Sequence, residues 1–191
     1  LLQVSTEVVT TDDLEVTMKT TVKAAAGALI VGAMFFGVNT GAQAATITQD
    51  QRASLLWMVA EEKLAHDVYT TLGDIYGVRQ FDNIAASEAK HTDAVRVLLD
   101  TYGIKDPTVG DAVGEFDNAV MQKMYDDLIK QGSKSLTDAA KVGVAIEKLD
   151  IKDLRDGLDA NTPADVRRVY ESLLKGSQNH LAAFERLLAR A

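Results

Sequence analysis

A carboxylate and an imidazole stand three residues apart in Glu88-Ala-Lys-His91, and at that spacing both lie on one face of a helix. The run from Phe81 to Tyr102 places apolar residues at Ile84, Val95, Leu98 and Tyr102, on the stripe that also contains Glu88 and His91. Two residues of ligand type are therefore directed at a core. A buried, unpaired carboxylate costs several kcal/mol or takes up a proton, and a metal ion would supply the counter-charge it needs. Glu-x-x-His is short, however, and by itself more often marks a hydrogen-bonded pair at a helix interface.

Three other segments carry polar groups in the same way. Thr48-Gln-Asp-Gln51 has capping-box form, and the helix it opens is predicted to run through Leu55, Trp57, Leu64, Val68 and Leu72 to about Gly77. Glu62 shares a face there with Leu55, Met58, Ala65, His66 and Tyr69, whereas Glu61 shares one with Trp57, Leu64 and Val68. The helical wheel does not separate the two glutamates. The second helix is expected to start with Asp82 as N-cap and Phe81 as hydrophobic staple, and to stop at Gly103 and Pro107. After a long connection holding one short amphipathic helix from about Asn118 to Gln131, a third long helix begins near Ser135, with Glu147 and Asp150 inside its apolar stripe. Gly143 in that helix would let a neighbour come close. Thr162-Pro163 reads as an N-cap followed by proline at the first helical position, and the last helix carries His180 on its stripe with Ser177 one turn earlier. Gly176, mid-helix, reads as a kink.

The chain has 191 residues, 47% hydrophobic and 25% charged, with two prolines and few aromatics, which suits one all-α domain with a sizeable core. A formal charge of −8 and the lack of any basic run argue against a nucleic-acid binder. The N-terminal part is predicted not to belong to the fold. Met18 to Lys23 forms a basic region, Ala24 to Val38 an uncharged apolar run and Ala42-Gln-Ala44 a small-residue cleavage site, so 18–44 reads as a signal peptide and Ala45 as the mature N-terminus. Residues 1–17 hold four acids, wrong for a signal, and read as untranslated in vivo or disordered. Within 45–191, 24 acids face 18 bases, so that domain stays acidic. The expectation is an exported protein, periplasmic or extracellular, without stable membrane insertion once the signal is removed. The chain has no cysteine, which excludes disulfides and thiol nucleophiles.

Four long helices joined by a short, a long and a short connection give an up-down-down-up bundle with one crossover. Each helix supplies inward polar groups, and carboxylate-bridged two-metal sites are built in this manner. The residues then become recognisable as a set. Glu61-Glu-Lys-Leu-Ala with Asp67-Val-Tyr69, Asn83-Ile-Ala with Glu88 and His91, Val142-Gly with Glu147 and Asp150, and Gly176-Ser-Gln-Asn-His-Leu181 resemble the prokaryotic ferritin-like family catalogued as domain of unknown function 2202, over essentially all of 48 to 190. The resemblance implies a ferritin-like four-helix bundle, as in rubrerythrin and bacterioferritin, whose long crossover contains an additional short helix. It also implies a dinuclear centre with Glu62, Glu88, His91, Glu147 and His180 as ligands. Ferritin-like proteins typically place a tyrosine seven residues after the first ligand, and Glu62 with Tyr69 matches, which selects Glu62 over Glu61 and gives Tyr69 the task of orienting Glu62. Glu61, Asp150 and Ser177 remain as additional ligands or supporting groups, and His66, where the family commonly has arginine, is read as peripheral. The departure is Ser177, which stands where a further glutamate would be.

The cofactor expected is a divalent metal, iron or manganese, one or two ions, with zinc as the alternative. Three functions compete: a redox enzyme acting on dioxygen, peroxide or ferrous iron; a metal holder without turnover; and a metal-free bundle serving as an envelope interaction module. Metal ions are the expected partners, and a homo-oligomer is left open. The absence of rubredoxin-type cysteine pairs weakens a rubrerythrin-like peroxidase cycle.

Overall fold

The computed structural model describes residues 47–159 and 161–190, among which are five α-helices and no strand. The signal region, its cleavage site and residues 1–17 lie outside the described residues. Helix α1, Gln49–Tyr76, opens on the capping box read from sequence: Thr48 Oγ1 accepts from the Gln51 N–H and Gln51 Oε1 from the Thr48 N–H. It closes at Gly77, whose φ of 63° is a left-handed conformation that glycine adopts at little cost.

Only Gly77 and Val78 separate α1 from α2, Arg79–Thr101, so the two helices pack antiparallel. This helix begins four residues before the expected start. Val78, not Asp82, occupies the N-cap, without a side-chain hydrogen bond. The two-residue turn leaves no room for an extended Phe81, which is instead helical and fully buried, while Asp82 sits in the first turn, where the helix dipole favours a carboxylate.

The connection after α2 is fastened to α1 by charge. Lys63 Nζ lies 2.5 Å from Asp67 Oδ2, donates to the Ala112 and Glu115 carbonyls, and sits 4.1 Å above the Phe116 ring centre. Helix α3, Ala119–Gly132, follows with Asn118 as N-cap, then α4, Leu136–Asp156, capped by Ser135. Helix α5, Ala164–Leu188, starts one residue later than expected, with Pro163 at the N-cap. The Thr162 hydroxyl is used elsewhere, accepting from the Asp159 N–H and donating to the Gly157 carbonyl.

Contacts along the bundle fix the directions of the long helices. Trp57 meets Asp153 and Tyr69 meets Glu147, so α1 and α4 are antiparallel. Tyr102 meets Asp165, His91 stacks with His180, and Phe81 packs on Phe184, so α2 and α5 are antiparallel as well. Gly143 behaves as read from sequence: a Cβ there would lie 2.6 Å from the Phe184 ring.

Two hydrophobic cores result. One gathers Leu64, Tyr69, Phe81, Met121, Leu128 and Phe184; the other gathers Leu55, Met58, Leu99, Leu154, Tyr170 and Leu173. On α1, α2 and α5 the switch from one core to the other falls at Glu61–Glu62, Glu88–His91 and Ser177–His180, and on α4 at Asp150, one turn past Glu147. A polar layer therefore crosses the bundle between two apolar ones.

Candidate metal centre

Glu88 is the middle of this layer. Its Oε2 lies 2.7 Å from His91 Nδ1, one turn on in α2, and its Oε1 lies 2.7 Å from His180 Nδ1, supplied by α5. Helix α1 brings Glu62 Oε2 to 3.3 Å from His91 Nδ1, and α4 brings Glu147 Oε2 to 3.8 Å from His180 Nδ1. Two triads follow, Glu62 with Glu88 and His91, and Glu88 with Glu147 and His180, each offering one ligand atom per residue within 4.8 Å of the others. They share Glu88. The imidazole rings stack with centroids 5.5 Å apart.

The orientation of these atoms is informative. His180 Nδ1 and Glu88 Oε1 are buried and make no hydrogen bond despite their 2.7 Å separation. A buried Glu and His in contact outside hydrogen-bond geometry leave both atoms free to face a shared cation.

The carboxylates respond to this environment unequally. Glu62 is pushed well above the usual range by burial, then by the nearby charges of Asp150 and Glu88. Glu147 is pushed up likewise, by burial and then by Glu88 and Asp150. Burial would raise Glu88 too, but the imidazoles of His180 and His91 outweigh it and bring its carboxyl down to about 2. One anion held by two imidazoles between two carboxyls that resist ionisation is a site short of positive charge.

Two supporting groups differ from expectation. The Tyr69 hydroxyl donates to Glu147 Oε1 at 2.7 Å, not to Glu62. Seven residues of helix rise about 10 Å, and at that level the antiparallel α4 presents Gly143 and Glu147 to Tyr69. At Gly176 α5 continues without a break. A Cβ at Gly176 would lie 2.6 Å from His91 Nε2, so the missing side chain is what lets the His91 ring rest on α5 with Nδ1 turned to the carboxylates.

The remaining candidates surround the triads. Ser177 is fully buried and its hydroxyl donates to the Leu173 carbonyl. Asp150 is raised to about 7, chiefly by burial, with the Ser177 hydroxyl acting in the opposite direction. A carboxylate from α4 thus stands close to the place where α5 lacks one. Glu61 is buried beside Glu62, with Asp150 the strongest charge acting on it. His66 lies outside the layer, half-buried, with its Nδ1 2.8 Å from Asp67 Oδ1.

Residues 51–190 match the model of an uncharacterized protein domain, DUF2202. The chain belongs to the DUF2202 family. Uncharacterized protein MJ0754 of Methanocaldococcus jannaschii is 45% identical over 142 residues, covering 74% of this chain and 77% of that protein. The crystal structure of hypothetical protein MJ0754 from Methanococcus jannaschii DSM 2661 superposes with a TM-score of 0.74 at 42% identity, covering 79% of this chain and 86% of that one. The DUF2202 match spans every residue of the polar layer, from Glu61 to His180.

Proposed function

We propose that this DUF2202 chain is a ferritin-like four-helix bundle, with α3 in its crossover, that holds two divalent cations. Glu88, common to both triads, would serve both positions, with Glu62 and His91 completing one and Glu147 and His180 the other. The observation that carries the reading is the meeting of two Glu/His triads at Glu88, each offering one ligand atom per residue within 4.8 Å of the others. The donor set fits: three carboxylates and two imidazoles suit iron or manganese, with zinc the alternative, and a carboxylate majority favours bridging over a closed structural zinc site.

When bound, such ions would supply Lewis acidity and, for iron or manganese, electron transfer to dioxygen or peroxide, with ferrous iron as an electron donor. The chain's own residues do the rest. Glu88 places negative charge between the two positions. Tyr69 fixes one oxygen of Glu147, and Gly176 fixes the face that His91 presents. The two apolar cores keep bulk water from the layer. A second reading, a metal holder without turnover, is supported by the closure of the site, since Glu62, Glu88 and Glu147 are 1% to 2% exposed. Release of the apolar run at Ala24 to Val38 after Ala44 would place either protein outside the cytoplasm, and N-terminal sequencing that returns Ala45 is the expected result.

Thermal unfolding separates metal binding from a metal-free bundle. Protein prepared without bound metal should melt higher with ferrous, manganous or zinc ions, because ligands that bind only the folded state stabilise it. His91→Ala and Glu147→Ala should lose that response. A wild-type melting temperature indifferent to all three ions would overturn the proposal.

A further inference from the structure

A cavity of about 610 Å³ lies along the first part of α1, from Asp50 to Ala60, a rise of about 15 Å. None of the five triad residues lines it. Its apolar surface comes from three parts of the fold: Leu56, Trp57 and Ala60 of α1, Phe116 and Met121 from the crossover and α3, and Val166 of α5. Leu56 and Trp57 are only half-buried there, although Leu55, Met58 and Val59 beside them are sealed in the interior. The walls are anchored to the bundle. Lys63 of α1 donates to the Ala112 and Glu115 carbonyls, and Arg96 of α2 donates to Asp106 and Thr108, which holds the crossover in place. On the other side the Trp57 indole donates to Asp153 of α4 at 3.1 Å, and the Ser54 and Tyr170 hydroxyls meet at 2.9 Å. The space between the walls is therefore preformed, and an occupant would bind with little ordering of the protein.

The charge around this apolar surface has one sign. Six of the lining residues are aspartates and one, Lys152, is basic, and Lys152 is already engaged by Asp153 and Asp156. Asp50, Asp111 and Asp117 form no ion pair among the described residues, and they stand at the partly exposed rim. Carboxylates beside low-dielectric walls focus a field that draws cations and turns anions away. An indole adds to that preference, because its ring face attracts an ammonium group.

We propose that this cavity is a binding site for an organic cation, a protonated amine or quaternary ammonium carried on an apolar body. The body lies against Leu56, Trp57 and Met121, and the charge faces the aspartate rim. The volume suits a molecule of that kind, since pockets for small organic ligands run from about 300 to 1,000 Å³. A bare metal cation would leave the apolar surface unused, a neutral apolar molecule would leave the aspartates unused, and an anion would be repelled. Binding there uses no residue of the two triads, so it holds or fails independently of the paired centre.

Trp57 is the one tryptophan of the chain, so its fluorescence reports on the cavity without a label. Phenylbutylamine, a cation at neutral pH, should change that emission saturably. Phenylbutyrate has a similar body and the opposite charge, and butylamine has the same charge without the ring; each should bind about tenfold or more weakly. Replacing both rim acids, Asp111→Asn with Asp117→Asn, should weaken phenylbutylamine about three- to tenfold and narrow its advantage over phenylbutyrate. Ala53→Phe, at an exposed position of α1 that lines the cavity, should fill the space and abolish the saturable change while the circular dichroism stays helical. Emission that phenylbutylamine leaves unchanged, equal binding of phenylbutylamine and phenylbutyrate, or wild-type binding by folded Ala53→Phe protein would overturn the proposal. Butylamine or oligolysine binding as tightly as phenylbutylamine would overturn it too, by marking an acidic surface for basic polypeptide that makes no use of the apolar lining.

Discussion

Gly176 illustrates what residue spacing can and cannot reveal. Glu88, His91, Glu147 and His180 are legible in the sequence because each is a polar group on an apolar helical stripe, and the structure brings all four together with Glu62. Gly176 is not legible in that way, since a glycine inside a helix reads first as a weakness in that helix. Its meaning comes from another element, the His91 ring lying against it from α2. The helical wheel does not separate Glu61 from Glu62 for a related reason: α1 is enclosed on several sides, both are buried, and no single face of the wheel is the inner one. Gly176→Ala should push His91 from its place and weaken metal binding by about ten- to a hundredfold, the usual consequence of disturbing a group that positions a ligand. Equilibrium titration with zinc measures it, and an unchanged affinity would mean that His91 does not bind through the geometry described.

At the scale of elements, the helices whose ends are set by local chemistry were readable and those set by packing were not. Thr48 with Gln51, Asn118 and Ser135 cap their helices with their own side chains, as their types indicate. The start of α2 is decided by the tight turn at Gly77 and Val78 and by burial of Phe81, neither of which Asp82 announces. At α5, Thr162 is diverted to the Gly157 loop and leaves the cap to Pro163. Packing also fixes the separation of α4 and α5, through Phe184 on Gly143. Gly143→Ala should destabilise the protein by about 1–3 kcal/mol, the range for forcing atoms into a filled core. Chemical denaturation of the metal-free protein would read this directly, and an increase in stability would show that the helices have room to separate.

In the whole molecule, a charged layer divides two apolar cores, and this makes stability depend on pH in an unusual direction. Glu61, Glu62 and Glu147 have folded pKa values raised above their unfolded ones, mainly by burial, and Asp150 is raised to about 7 for the same reason. A raised carboxyl favours the folded state while protonated, so its contribution is complete below the unfolded pKa and is lost as pH rises toward the folded one. Glu88 and Asp67 are lowered and act oppositely, but their contribution is lost only on acidification below the unfolded carboxylate range. Metal-free protein should accordingly melt lower at pH 8 than at pH 5.5. Saturating manganous ion should reduce or reverse the difference, because the ions bind the ionised carboxylates. Differential scanning calorimetry at the two pH values checks this, and a metal-free protein more stable at pH 8 would contradict it. The helices and the polar residues of the two triads were legible at this scale, whereas the division of the interior into two apolar cores needed three dimensions. The most direct test of the paired centre is electron paramagnetic resonance of the protein titrated anaerobically with manganous ion. Two ions per chain sharing Glu88 would lie roughly 3.5–4 Å apart, so the account predicts uptake of two ions with the spectrum of a spin-coupled pair. A single ion giving the six-line spectrum of isolated manganese, or no uptake, would contradict it.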